Sequence, residues 1–249
     1  MPDIPNRDEL ERKLAKKLKS LFEGFSGHLL EELENAQWNV NDIPESVWAG
    51  LTAKEKAVLL PFLENVFIQS ADTMLNQVSI GVDWALVNQN AADWARSYST
   101  FLAGQIDTTS RAAVAKGIRN SIASFYEDGL TMGELVARLE SDEALKPLFT
   151  ADVKDRIGRI YGPRRAQMIA VTEVTRASVQ GEIAIVDELS RQGINMIAIW
   201  ETNKDEKVCP ICEPRQGKKR GEGWNNINEP PAHPNCRCTL NHDFVTSDL

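Results

Sequence analysis

Val208-Cys-Pro-Ile-Cys212, followed after twenty residues by His233-Pro-Asn-Cys236-Arg-Cys238, decides how this chain is read. All four cysteines of the 249 residues fall in it, with one of the three histidines. Two thiols three positions apart in a tight turn can face one ion, and Pro210 between them fixes that turn. A second pair of ligands arriving from a distant loop completes a tetrahedron. Cys209, Cys212, His233, Cys236 and Cys238 are five candidates for four places, so one of the last three falls outside. Cys236 and Cys238 point the same way if the chain there is extended. His233 and Cys236 meet if Asn235 turns it. Spacing leaves both arrangements open.

The N-terminus, MPDIPNRDELERKLAKKLKS, has no apolar run and no small-residue cleavage site. No secretory signal is therefore expected, and the thiols are expected to stay reduced. No stretch approaches the roughly 18 apolar residues of a spanning helix, so no membrane partner is expected. Disulfides are disfavoured on that reading. A redox Cys-X-X-Cys normally opens a helix in a βαβ setting that the flanking sequence does not offer. Thiolate and imidazole donors together suit zinc. The zinc is expected to be structural, because five donors outnumber a closed site and neither His-Glu-x-x-His nor the deaminase pattern occurs. Between 203 and 241 the large apolar residues are few: Val208, Ile211, Trp224, Ile227 and Leu240. A metal cross-link would order so thin a segment. Lys204, Lys207 and Arg237 lie near enough in sequence to offset the charge of a thiolate-rich site.

Upstream of the cluster, Ile194–Thr202 is short and β-branched and reads as a strand, with 237–245 as its pairing partner. Before Gly193 the chain reads as helices. The longest, Arg164 to Gln192, carries Ala170, Val174, Ala177, Gly181 and Ala184 on one face, which permits a close neighbour and gives Gly181 a packing reason. Pro163 suits its first position, and Arg191 with Gly193 its end. Shorter helices are expected over 151–161 after Pro147, from the Thr131/Glu134 capping box to Glu140, over 107–128 and over 84–106. Trp84 and Trp94 lie on an apolar stripe that reads as core. A capping box at Thr52 and Glu55 opens a helix to about Val78, which Pro61 is expected to kink or split. Helices over 8–22, ended by Gly24 and Gly27, and over 29–37 complete the reading. The architecture expected is a mainly α N-terminal region with a long helix leading into a small α+β zinc-stapled C-terminal module. The divisions expected are 1–106, 107–193 and 194–249.

Formal net charge is −8, which disfavours sequence-independent nucleic-acid binding by the whole chain. One basic cluster, Arg215, Lys218, Lys219 and Arg220, can meet phosphates or an acidic partner, or form a solvated hairpin tip beside an anionic metal site. Phosphate-binding glycine loops and the Gly-x-Ser-x-Gly elbow are absent. His28 and His242 stand alone and read as surface or core residues. Two rival functions stay in view: a metal-dependent nuclease using His233, and a DNA-binding protein working through the basic cluster.

The run Ala166-Gln-Met-Ile-Ala-Val-Thr-Glu-Val-Thr-Arg-Ala177 carries a family resemblance, continued by Trp200-Glu-Thr-Asn-Lys-Asp205 and Val208-Cys-Pro-Ile-Cys212. Gln216-Gly217 and Pro230-Pro-Ala-His-Pro-Asn-Cys-Arg-Cys-Thr239 complete it. Together they resemble the Mu F-like phage head morphogenesis family, minor head (minor capsid) proteins of tailed bacteriophages and prophages. The resemblance covers roughly 107–240 and is strongest in the last third. It implies a non-enzymatic protein that associates with the portal protein and with capsid or scaffold proteins. It implies assembly in the host cytoplasm, residence inside the virion or procapsid, and a part in head assembly and in packaging or ejection of phage DNA. The family's Cys and His positions map onto Cys209, Cys212, His233, Cys236 and Cys238, and its Trp and Asp onto Trp200 and Asp205. Capping of the knuckle's amides by Asp205 is our own expectation. The first hundred residues carry no resemblance.

Overall fold

Apolar side chains recurring every three or four residues build the helices of this computed structural model, which describes residues 4, 6–78, 80–125, 134, 137–138, 141–203, 208–224 and 227–245. They are α1 (Arg7–Asn35), α2 (Glu45–Val78), α3 (Trp84–Phe125), α4 (Leu145–Ile160) and α5 (Pro163–Arg191). Two strands follow, β1 (Met196–Glu201) and β2 (Thr239–Phe244). They pair antiparallel with Trp200 opposite Leu240. The chain forms two compact units: Met1–Ala15 with Leu59–Ser99 and Gln167–Leu249, and Lys16–Val58 with Thr100–Ala166. The mainly helical architecture with a small C-terminal α+β module is as the sequence predicts.

Several helices are longer than expected. Gly24 and Gly27 do not end the first one: α1 runs through both to Asn35. Each glycine costs about 1 kcal/mol relative to alanine. The buried stripe Phe22, Phe25, Leu29 and Leu33 outweighs that cost. Phe22 and Phe25 meet Tyr161 edge-on at 5.6 and 5.1 Å, and Phe25 also meets Trp48 at 5.9 Å. Thr52 is no cap; α2 begins at Glu45, and the Thr52 hydroxyl donates back to the Trp48 carbonyl. Pro61 sits inside α2 without ending it. The break expected at Asp107 is also absent: α3 runs through it, and the Thr108, Thr109 and Ser110 hydroxyls are occupied by carbonyls one turn back instead of capping a new helix. Asp83 is the true start signal of α3, its carboxylate accepting from the Ala85 amide at 2.9 Å. Pro147 falls within the first turn of α4 rather than before it. Thr131 and most of the helix expected from it lie outside the described residues, as do Lys204, Asp205 and Lys207.

α5 holds the first unit together. A side-chain carbon on Gly181 would lie 2.2 Å from the Phe67 carbonyl oxygen and 3.1 Å from the Ala71 nitrogen, so α2 and α5 touch backbone to backbone there. Ser70 and Ser178 hydroxyls pair across the same contact at 2.6 Å. Trp94, half-buried, packs on Phe67 and stacks on Tyr98. Gly193, at φ +82°, ends α5, and the Ile194 amide donates to the Leu189 carbonyl. The chain then turns into β1.

In the other unit, Glu55 is fully buried and neither carboxylate oxygen has a hydrogen-bond partner. Burial pushes its pKa up to about 8, against the attraction of Arg165 and with a further push from Asp107.

Two outcomes follow from these contacts. Gly181→Ala is expected to destabilise the protein by about 1–3 kcal/mol, despite alanine's better helix propensity, because backbone must move. Urea unfolding measures this. Glu55 is protonated in the folded state where the unfolded chain has already released its proton, so its contribution is complete below pH 4.5 and disappears as pH rises through about 8. Stability should fall by about 3 kcal/mol between pH 5 and 8, and Glu55→Gln should flatten that slope in denaturant titrations followed by helical circular dichroism.

A candidate metal centre

The module that carries the cysteines is built on β1. β2 lies on one edge of β1, and residues 217–220 run along the other. There the Trp200 amide donates to the Lys218 carbonyl at 3.0 Å, and the Arg220 amide to the Ala198 carbonyl at 2.8 Å. This third, strand-like segment has no apolar alternation, so the sequence gives no sign of it. Gln216 closes the loop by accepting from the Thr202 amide and hydroxyl at 2.7 and 2.5 Å. Trp200 is fully buried and meets Trp224 edge-on at 5.3 Å. Val179 of α5, Leu240, Cys212, Cys236 and Cys238 complete the small core around them.

The knuckle folds as the spacing predicts. Cys212 and Glu213 amides both donate to the Cys209 carbonyl at 3.0 Å, turning both thiols to one side. The second ligand loop is turned by Asn235, which adopts φ +63° while the Cys236 amide donates to the His233 carbonyl at 3.1 Å. Asparagine tolerates that left-handed conformation better than most residues. His233 Nδ1 lies 2.8 Å from the Pro234 carbonyl, and its Nε2 faces Cys209 and Cys212 at 3.0 and 3.2 Å from their sulfurs. Cys212 and Cys236 sulfurs are 3.8 Å apart. A tetrahedral zinc with bonds of about 2.0–2.3 Å would separate its ligand atoms by roughly 3.5–3.8 Å. The Cys212–Cys236 separation matches that spacing and the two distances to His233 are a few tenths of an ångström shorter, so a slight opening of the cluster would seat an ion that thiolate and imidazole donors suit.

All five predicted residues converge in two triads that share Cys212: Cys209, Cys212 and His233, and Cys212, Cys236 and Cys238. Within each triad the ligand atoms lie within 4.8 Å of one another. Cys209, Cys212, His233 and Cys236 line one cleft of about 450 Å³, and Cys238 does not. Cys238 is buried, within 4.8 Å of the Cys212 and Cys236 sulfurs. Hydrogen bonds from the Cys212 and Cys238 thiols draw Cys236 well below the ordinary thiol range, and the same contact with Cys236 drives Cys212 up. Such a cluster can hold a thiophilic cation; the four cysteines are free thiols.

The basic cluster divides. Arg215 is not a surface cation: it is 5% exposed, donates to the Trp224 and Ile211 carbonyls, and lies over the Trp200 ring at 5.7 Å. It braces the knuckle from beneath, because an arginine fork can serve two carbonyls and an aromatic face at once. Lys218, Lys219 and Arg220 are exposed, and Arg220 lies 3.6 Å from Glu229. Arg237 borders the same cleft, and its guanidinium is engaged by Asp8 and Glu11 of α1. His28 is exposed. His242 is lowered to about pKa 4 by burial and then by Arg220, and its Nε2 has no hydrogen-bond partner. The residues that sequence reasoning missed are Arg7, Glu11, Thr172 and Thr175. All four touch the ligand loop or Arg237 within it, from more than sixty residues away, and no local signal marks them.

No helix among the described residues is long and apolar enough to cross a membrane. No curated protein and no solved structure matches the chain. A family model described as Phage Mu protein F like protein matches residues 107–241, more than half of the chain and a span that includes all five converging ligands. The chain belongs to the phage Mu protein F-like family.

Proposed function

We propose that this chain is a minor head protein of a tailed bacteriophage or prophage, whose C-terminal module is stapled by one structural zinc ion. Membership of the Mu F-like family supports the phage head role and association with the virion or procapsid. The observation that carries the structural reading is the convergence of Cys209, Cys212, His233 and Cys236 on one cleft within the matched span. Those four are the proposed ligands, and Cys238 is the fifth residue left outside. Four protein ligands close a tetrahedron and leave no position for water or substrate, so the proposed role is cross-linking and not catalysis. When bound, zinc supplies the cohesion that the small core around Trp200 and Trp224 cannot supply alone. The portal protein and capsid or scaffold proteins are the proposed partners. Lys218, Lys219 and Arg220 remain the surface for an accessory contact with phage DNA or an acidic partner.

Metal analysis of the purified full chain should find one zinc per molecule. Cys236→Ser should lose it, and Cys238→Ser should retain it. Chelation should render the residues after Gly193 protease-sensitive while the helical signal persists. Unchanged proteolytic resistance would exclude a structural role, and loss of zinc from Cys238→Ser would exclude this ligand set.

Proteomic analysis of procapsids and mature heads from the producing phage should detect the chain at few copies per head, crosslinked to the portal protein. Absence from both particles would overturn the assignment.

A further inference from the structure

The loop that presents Cys236 is held by its backbone at three consecutive residues. The Asn235 amide donates to the Thr172 hydroxyl at 2.9 Å, and the Cys236 carbonyl accepts from the Thr175 hydroxyl at 2.9 Å. The Arg237 carbonyl accepts from Arg7 at 2.9 Å. Thr172 and Thr175 stand one turn apart on α5. Arg7 comes from the first turn of α1, 230 residues away and outside the family match. A second nitrogen of Arg7 donates to the Thr175 hydroxyl at 2.5 Å, so Thr175 relays the arginine to the Cys236 carbonyl. Arg7 and Glu11 are buried, with 6% and 1% exposure, and their ion pair spans 3.2 Å. Arg237 returns the connection by pairing with Asp8 and Glu11.

The two arginines face the carboxylates of Asp8 and Glu11, and Arg7 also attracts the buried Glu182. A buried ion pair adds little net stability over apolar packing, and its best-attested use is to specify one arrangement over others. What is specified here is the path of the backbone between His233 and Cys238. We infer that the first turns of α1 are part of the metal centre's framework, with Arg7 and Thr175 as positioning residues that hold Cys236 in place for the ion. The inference rests on the metal reading above. It gives the N-terminal segment, which no family resemblance covers, a role in retaining the metal.

The test uses the full-length zinc-loaded protein and follows zinc release to a chromogenic chelator, with helical circular dichroism recorded in parallel. Thr175→Val removes the relaying hydroxyl at nearly constant volume and should release zinc roughly tenfold faster. Thr175→Ser should restore the slow rate. Arg7→Met should accelerate release to a similar degree, and the cobalt-substituted protein should show an altered visible spectrum. Wild-type release rates in both Thr175→Val and Arg7→Met would overturn the inference. Loss of helical signal in step with zinc would also overturn it, by assigning these contacts to folding in general. A wild-type chain that takes up no zinc would instead refute the metal reading itself, and that result is recorded before any variant is compared.

Discussion

Three thiols and an imidazole packed around one cleft form an arrangement that a small core does not assemble without compensation. The Cys212 and Cys236 sulfurs, 3.8 Å apart, crowd thiols whose charged forms repel one another, and the Cys209 and Cys212 sulfurs also stand 3.0 and 3.2 Å from the His233 ring nitrogen. Hydrogen bonding from its neighbours favours the charged form of Cys236, and a cation in the cleft would satisfy the donors together. The rest of the module serves that convergence. Arg215 braces the knuckle against Trp200, Asn235 reverses the chain, and Gln216 closes the loop beside β1.

α5 is the element on which this arrangement stands. One stretch of it offers Thr172 and Thr175 to the ligand loop, Val179 to the module core, Ser178 to Ser70, and Gly181 to the backbone of α2. These residues follow one another at helical spacing, so rotating or shifting α5 would disturb all of them together. Thr172, Thr175, Ser178 and Gly181 are small or hydroxylated because their partners are backbone or another short side chain. Larger residues would keep α2 and the loop at a distance.

Element type was well marked in the sequence, and element length was not. The glycines at 24 and 27 and the threonines and serine at 108–110 are stop and start signals by local chemistry. In the folded chain they lie inside helices: the aromatic packing of Phe22, Phe25, Trp48 and Tyr161 overrides a local cost of about 1 kcal/mol per glycine, and the hydroxyls at 108–110 bond back to carbonyls of their own helix. Glu55 shows the same override: placed by its spacing as a capping partner, it is instead sequestered inside its unit as a neutral acid.

The sequence by itself determined that five metal-ligating side chains belong together, that a turn at Asn235 could join His233 to Cys236, and that the chain resembles a phage head family. These are readable because each depends on residues within a few positions of one another or on a motif. Only the tertiary structure decided that Cys238 is buried and does not line the cleft, that Arg215 and Arg237 are committed to internal contacts, and that Arg7 reaches the ligand loop across 230 residues. Those outcomes depend on where α1, α5 and β1 stand in space. Spacing along the chain carries no record of that.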